Sequence, residues 1–218
     1  MPDREPHDGP VLETRRLIIR RIRPDDAASL EALNADPRVM RYIAPPMTPD
    51  ETRAWLGRTF AHDAAGRDFG WFAVQERETG ALTGMAALKL LSESNHAALG
   101  ALLAGAGQDE LFEIGWRFHE PYWGRGYATE TGRALVRRAF EHHGLPRITA
   151  VALAANLASC RAIEKCGLRP HGDYTVSGHA ARFFTLTRAA WEADCETRSN
   201  GPRSGHGQAN RSGPRAAS

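Results

Sequence analysis

Short apolar runs alternate with longer amphipathic stretches along the chain, and this alternation predicts an α/β fold. Apolar runs bounded by turn residues predict strands at 17–21, 70–77, 82–90, 111–118, 148–153, 171–176 and 181–186. Stretches with helical spacing predict helices at 24–34, 50–64, 127–143 and 159–166, with a short one at 37–42. Because a strand–helix–strand unit follows a meander, we expect a mixed sheet with helices on its faces.

The two ends of the chain differ in composition from the segment between them. Residues 1–10 are polar and interrupted by proline, which predicts a flexible leader. From Glu196 the sequence shifts to Ser, Gly, Asn, Pro and Arg, so we expect a disordered tail at 196–218. One domain at 11–195 remains. Its segment 91–109 is rich in Ala, Gly and Ser and is predicted to be a long loop of the kind that often serves function.

Charge and cysteine content exclude several classes of protein. With a formal net charge of only +2, the chain lacks the strongly positive electrostatic field that is typical of nucleic-acid-binding proteins. The three cysteines are too few for a disulfide framework or a zinc site, so we expect no metal. No apolar run reaches the roughly 20 residues that span a bilayer, and the N-terminus does not resemble a signal peptide. We therefore expect a cytoplasmic protein with neither a membrane nor a nucleic-acid partner.

A glycine-containing turn separates the strand at 111–118 from the helix that begins near Tyr127. Its sequence is Trp123-Gly124-Arg125-Gly126-Tyr127-Ala128. The first N–H groups of a helix lack partners within it and lie at the positive end of the helix dipole, so they bind phosphate groups well. Gly124 and Gly126 would let the backbone approach the anion, and Arg125 would add charge. A tight connection without any ligand is the alternative interpretation.

This turn resembles motif A of the GNAT superfamily of N-acetyltransferases, Gln/Arg-x-x-Gly-x-Gly/Ala. Trp123, Gly126 and Ala128 stand at its first, fourth and sixth positions, and Trp123 departs from the usual Gln or Arg. The amino-acid sequence at 122–130 is similar to that of the RimJ/RimL branch in particular. Further stretches of that branch match at 12–17 with Arg20, 113–116, 156–159 and 164–168, so the resemblance spans about residues 11 to 190.

The resemblance implies a fold and an activity. The fold would be a mostly antiparallel sheet of about seven strands with about four helices, in which two strands splay apart to hold coenzyme A. The activity would be acetyl transfer from acetyl-CoA, as co-substrate, to a protein N-terminal amine or a small amine. Dimers are frequent in this branch, so a homodimer is also expected.

The resemblance also assigns binding roles to individual residues. The backbone of Trp116 and Phe118 would pair with the pantetheine arm, and Asn156 would hydrogen-bond to it. Ser159 would lie near the thiol. The pyrophosphate would be held at the turn by Trp123, Gly124, Arg125, Gly126, Tyr127, Ala128 and Thr129.

Attack of an amine on a thioester needs a base for the amine proton and an acid for the departing thiolate. Glu113, on the strand before the turn, is the candidate base; pairing with a nearby arginine is its alternative role. Many relatives take the acid from a tyrosine on the helix that follows the asparagine, and the helix at 159–166 has none. Ser159 is the candidate substitute, and a plain helix cap is its alternative role.

Two readings of function remain open. The first is an enzyme whose acceptor is a protein N-terminus, a polyamine, an amino-acid-like metabolite or an aminoglycoside. The second is a non-catalytic acyl-CoA-binding or interaction domain, which would keep the turn and lose the acid and base. Among other residue types, we expect Cys160 and Cys166 to be small core residues. The histidines at 119, 142 and 143 are expected at the surface, and Trp55, Trp71 and Trp116 in the core or on the wall of the acceptor pocket.

Overall fold

A computed structural model describes residues 9–91, 95, 99 and 111–199 of the chain. One eight-stranded sheet forms its centre, with strand order β1-β2-β3-β4-β5-β6-β8-β7. Neighbouring strands are antiparallel except β5 and β6, which are parallel. The strands are β1 (Pro10–Glu13), β2 (Leu17–Arg21), β3 (Gly70–Glu76), β4 (Leu82–Leu90), β5 (Phe112–Phe118), β6 (Arg147–Leu153), β7 (Arg169–Val176) and β8 (His179–Thr187).

Six α-helices accompany the sheet in the described part of the chain. They are α1 (Ala27–Ala35), α2 (Pro37–Met40), α3 (Pro49–Ala64), α4 (Tyr127–Arg137), α5 (Leu157–Lys165) and α6 (Arg188–Ser199). A π-helical turn, Arg138–His142, extends α4. Within the described residues, no helix has both the length and the apolar character needed to cross a membrane.

Helices cover both faces of the sheet because its central strands are apolar on both sides. On one face, Phe72 and Val74 of β3 belong to a core that includes Leu135 of α4 and Ile163 of α5. On the other face, Ala73 lies in a second core formed largely by α1, α2 and α3. Alternate residues of one strand therefore pack against two different layers of helices.

Strands β5 and β6 part soon after they meet. They pair at Phe112↔Ile148 and Glu113↔Thr149 and at no further position. By contrast, β4 follows β5 through seven residue pairs, from Gly84↔Phe118 to Leu90↔Phe112. The backbone edge of β5 from Ile114 onward therefore faces a gap in the sheet, as expected for a splayed strand pair.

The predicted fold class is confirmed, with two elements added. Neither strand β1, of which only Pro10 lies in the predicted leader, nor helix α6 was predicted. With β1 the sheet has eight strands where about seven were expected. Apart from the helical residues Asn95 and Leu99, the described part of the chain holds six α-helices where about four were expected. Helix α6 runs through Ser199, so the predicted start of disorder at Glu196 is wrong for its first residues.

Several predictions fall largely on residues that lie outside the description. Residues 1–8 and 200–218, which make up most of the predicted leader and tail, are among them. Most of the predicted loop at 91–109 is as well. Its two described interior residues, Asn95 and Leu99, are helical, and Leu99 is buried.

Candidate functional site

A cavity of about 450 Å³ opens where β5 and β6 part. It brings together four of the predicted site residues, Glu113, Trp116, Asn156 and Ser159. Other lining residues come from both faces of the sheet and from the turn between β7 and β8, and they include Tyr42, Trp71, Lys89, Gly115, Arg117, Ser177 and His179. The cavity therefore passes through the sheet at the splay.

The predicted pyrophosphate turn follows the end of β5 and leads into α4. Gly124 and Gly126 have φ of +73° and +79°, a left-handed backbone that L side chains rarely adopt. A Cβ on Gly124 would meet nothing within 4 Å, and one on Gly126 would meet Arg16 alone, at 3.5 Å. Gly126 is the N-cap of α4, and no described side chain caps the helix there. The first N–H groups of α4 thus keep their capacity to bind an anion.

An ionic network fixes this end of α4 against β2. One oxygen of Glu130 accepts hydrogen bonds from the Thr14 hydroxyl (2.7 Å) and the Arg16 backbone N–H (2.9 Å). Its other oxygen accepts from the Arg16 guanidinium at 2.7 Å. Burial alone would raise the pKa of Glu130, but the hydrogen bonds from Thr14 and Arg16 outweigh it and hold that pKa below its ordinary value.

Side chains of the turn itself are mostly engaged with the protein. The Trp123 indole donates to the Phe118 carbonyl at 2.7 Å, so that carbonyl at the end of β5 already accepts one bond. The Tyr127 ring is buried, and its hydroxyl donates to Glu76. Arg125 is half-exposed, 3.9 Å from Glu76. The turn therefore offers a ligand its backbone groups and the half-exposed Arg125 guanidinium, whereas its aromatic side chains bond within the protein.

Asn156, not Ser159, is the cap of α5. The Asn156 side-chain oxygen accepts from the Ser159 backbone N–H at 3.1 Å. The alternative role considered for Ser159, a helix cap, is therefore wrong, since Ser159 stands inside the first turn. Among the described residues its hydroxyl has no hydrogen-bond partner, and it lines the cavity. That hydroxyl is free to bond a ligand.

Glu113 lines the cavity and is ion-paired there. Its partner is the Lys89 ammonium, directly opposite on β4, and both side chains are largely buried. A pair was the alternative role considered for Glu113, although the partner was expected to be an arginine. Strand alternation places Glu113, Gly115 and Arg117 on the face covered by α1, α2 and α3, whereas Trp116 packs on Gly132 of α4.

Sequence reasoning missed two cavity residues on the Glu113 face, Lys89 and Arg117, which lie beside Trp71. The Trp71 ring lies between the two cations, 5.7 Å from Lys89 Nζ and 5.6 Å from Arg117 Cζ. Trp71 was considered as a wall of the acceptor pocket, but nothing in the sequence pairs it with Lys89 and Arg117. Their proximity follows from the register of β3, β4 and β5, in which Trp71 pairs with Ala87 and Arg117 with Met85.

The cysteines and the first histidine behave as expected of structural residues. Cys160 and Cys166 are buried, and burial raises the pKa of the Cys166 thiol to about 12. Such a thiol is a poor nucleophile at neutral pH. His119 is half-buried, with its Nε2 3.1 Å from the Ser29 hydroxyl, and burial lowers its pKa.

Asp68, His142 and His143 form the one described group with the composition of a metal site, their ligand atoms lying within 4.8 Å of one another. None of the three lines the cavity. Arg21 lies 3.8 Å from Asp68, and Arg138 adds a further positive charge near His143. Because these cations compete with a metal ion, we assign no metal to this group.

Comparison with known proteins gives a family match. A family model described as an acetyltransferase (GNAT) domain matches residues 16–169, more than half of the chain. The chain is 27% identical over 164 residues to an uncharacterized N-acetyltransferase, YnaD, of Bacillus subtilis strain 168, covering 75% of this chain and 85% of that one. It is 30% identical over 173 residues to the FsC-acetyl coenzyme A-N(2)-transacetylase of Aspergillus fumigatus, covering 73% of this chain and 65% of that one.

Solved structures share the fold. A GNAT-family acetyltransferase from Bacillus anthracis superposes with a TM-score of 0.66 at 22% identity, covering 82% of this chain and 98% of that one. A spermidine N-acetyltransferase from Vibrio cholerae, solved with CoA and spermine, superposes with a TM-score of 0.63 at 18% identity, covering 82% and 99%. At these identities the likeness concerns the fold.

Proposed function

Because this chain belongs to the GNAT acetyltransferase family, we propose that it transfers an acetyl group from acetyl-CoA to a primary amine by direct attack in a ternary complex. As an acetyl-CoA-dependent N-acetyltransferase it needs a path along which donor and acceptor meet. The single observation that carries the proposal is the cavity at the splay, which joins Asn156 and Ser159 on one side of the sheet to Glu113 on the other. Two substrates that enter from opposite faces would meet there.

Donor binding would use groups that the fold leaves without partners. The uncapped N–H groups at the start of α4 fit a pyrophosphate, and the edge of β5 beyond Glu113 fits the amides of a pantetheine arm, like an added strand. Asn156 uses its side-chain oxygen as the α5 cap, so its amide N–H groups are available to the same arm. The donor would thus run from the turn at Gly124 and Gly126 to the cavity.

Proton transfer would use Glu113 and Ser159. Glu113 lies within the cavity beside Lys89, where it would accept the amine proton directly or through water. Ser159 lies across the cavity with its hydroxyl free, and it would donate to the departing thiolate. The Glu113 side chain is 14% exposed, which would help to keep bulk water from competing for the acetyl group.

A more specific proposal concerns the branch of the family. We place the chain in the RimJ/RimL-like branch, whose acceptors are protein N-terminal amines and small amines. One support is the amino-acid sequence at 122–130. A second is that Thr14 and Arg16, from one matching stretch, form a hydrogen-bond network with Glu130 from another. The spermidine enzyme among the structural neighbours shows that this fold can serve a small amine.

A thiol-release assay with acetyl-CoA across a panel of amines and short peptides tests the proposal. We expect turnover on at least one amine and a fall in kcat of about 10² to 10⁴ for Glu113→Gln, the range for loss of an acid–base group. The exposed Glu78→Gln is the matched control and should leave kcat unchanged. Acetyl-CoA binding without turnover on any amine would favour the non-catalytic domain instead.

A further inference from the structure

The face of the sheet opposite α4 carries an excess of positive charge inside the cavity. Its charged lining residues are Lys89, Glu113 and Arg117, with His179 at the rim. Lys89 and Glu113 pair with each other, so no described carboxylate of the cavity lining balances the Arg117 guanidinium. A cationic acceptor such as a polyamine would be repelled here, because charges act strongly in a partly desolvated site.

Arg117 has no carboxylate partner among the described residues. Its Nε donates to the Met85 sulfur at 3.1 Å and one terminal nitrogen to the Met40 sulfur at 3.2 Å. Thioether sulfur is a weak acceptor, so these contacts do little to offset the loss of hydration. Burial lowers the pKa of Arg117 to about 10, and the group remains charged at neutral pH. A partly buried cation with no carboxylate partner in the described structure is costly to keep, and a ligand anion would offset that cost.

Open space separates Arg117 from Glu113. Gly115 stands between them on β5, lines the cavity, and a Cβ there would meet nothing within 4 Å. Glu113 and Arg117 are four residues apart on β5, which separates their Cα atoms by about 13 Å, and their side chains extend over part of that distance. A small molecule could therefore present an amine toward Glu113 and an anion toward Arg117 at the same time, with Trp71 as its floor.

Resting on the proposed acetyl transfer, we propose that the acceptor is a small amine that also bears a carboxylate, as an amino acid does, and that Arg117 binds this carboxylate. A guanidinium is suited to the role because its planar fork matches both carboxylate oxygens. Among the acceptors open from the sequence, this favours the amino-acid-like metabolite over the polyamine and the aminoglycoside.

Matched substrates test the inference. Phenylalanine, phenylalaninamide and phenethylamine share a ring and an amine and differ in the carboxylate. Phosphoethanolamine with ethanolamine, and spermidine, complete the panel. We expect kcat/KM at least tenfold higher for the carboxylate-bearing members of the set. Equal or better turnover of phenethylamine or spermidine would overturn the inference while leaving the proposed acetyl transfer intact. Preference for phosphoethanolamine over every carboxylate would overturn the choice of anion.

Variants locate the effect. Arg117→Gln should raise KM at least tenfold more for the carboxylate substrates than for phenethylamine, and Arg117→Lys should restore part of the loss. Arg58→Gln, an exposed arginine on α3, is the matched control. If Arg117→Gln proves unstable, or no amine is turned over, calorimetric binding of phenylalanine to the wild-type protein and to Arg117→Lys decides. Tighter binding of phenylalanine than of phenethylamine, weakened in Arg117→Lys, supports the inference, and equal binding of the two overturns it.

Discussion

Arg16 and Glu130 lie 114 residues apart in the sequence, and their side chains meet at 2.7 Å. Arg16 follows β1, and Glu130 is in the first turn of α4. The guanidinium also lies over the Tyr127 ring, with Cζ 4.8 Å from the ring centre. This contact orients the helix end whose free N–H groups form the proposed pyrophosphate site.

Replacing Glu130 with Gln should loosen that helix end. The variant keeps the shape of the side chain but loses the charge that Thr14 and Arg16 stabilise, so we expect the free energy of unfolding to fall by about 1 to 3 kcal/mol and acetyl-CoA to bind more weakly. Chemical denaturation and a binding titration measure the two effects. Glu141→Gln, on the same helical run but exposed, should change neither. A variant as stable as wild type would show that the network does not hold α4.

Replacing Gly126 with Glu should abolish donor binding. The residue has φ of +79°, so any side chain strains the backbone by roughly 1 to 2 kcal/mol, and a carboxylate there would repel a pyrophosphate. Gly144→Glu is the matched control, because Gly144 also has a left-handed φ of +66° and open space around it, away from the turn. Titration with acetyl-CoA should separate the two. Similar affinity in both variants would contradict the site assignment.

Replacing Ser159 with Ala should lower turnover and spare both stability and donor affinity. Its hydroxyl bonds to no described residue, so the change in unfolding free energy should stay within about 0.5 kcal/mol. Asn156→Ala provides the contrast, since loss of the cap should cost about 1 kcal/mol. Steady-state kinetics and denaturation on both variants check this pattern. Unchanged kcat in Ser159→Ala would remove it from the chemistry.

His143 should make the protein less stable as pH falls from about 6.5 to about 4. Burial, with help from Arg138 and His142, lowers its folded pKa to about 4, below the roughly 6.5 of an unfolded chain. In that window the unfolded state takes up a proton that the folded state does not, so stability rises with pH.

The ring of His143 stacks on Phe69, and its Nε2 is buried without a partner in the described structure, so His143→Phe should be tolerated. Thermal melts from pH 4 to pH 7.5 should show a weaker pH dependence in this variant than in wild type. His171→Phe, at an exposed position, should keep the wild-type slope. Identical slopes in wild type and His143→Phe would contradict the prediction.

The sequence patterns that predicted the fold are local ones. Strands β2 to β6 and β8 were predicted because each buries an apolar run, and β7 was predicted as the hairpin partner of β8. By contrast, β1 is four residues long, half-buried and begins with proline. Helix α6 follows β8 without an intervening turn, so no turn residues in the sequence mark where the helix begins. The anion-binding turn was also predictable, because its glycines and the helix after it are neighbours in the chain.

Contacts across the sheet were beyond such patterns. The Lys89–Glu113 pair and the two cations beside Trp71 depend on strand register, which side-chain alternation alone does not set between strands. The cap at Asn156 was missed for a different reason. Both Asn and Ser favour that position, and the choice between them depends on where α5 begins, at Leu157 and not at Ser159.

Strands β5 and β6 are joined by two residue pairs alone, and the gap beyond those pairs divides the sheet into two parts, β1–β5 and β6–β8. Beyond these pairs, the two parts are connected through α4 and α5, since both helices pack in the same core. The splay is therefore a natural hinge. A donor bonded to β5 and to Asn156 would bridge this hinge, so binding the first substrate should stiffen the wall against which the second one is held.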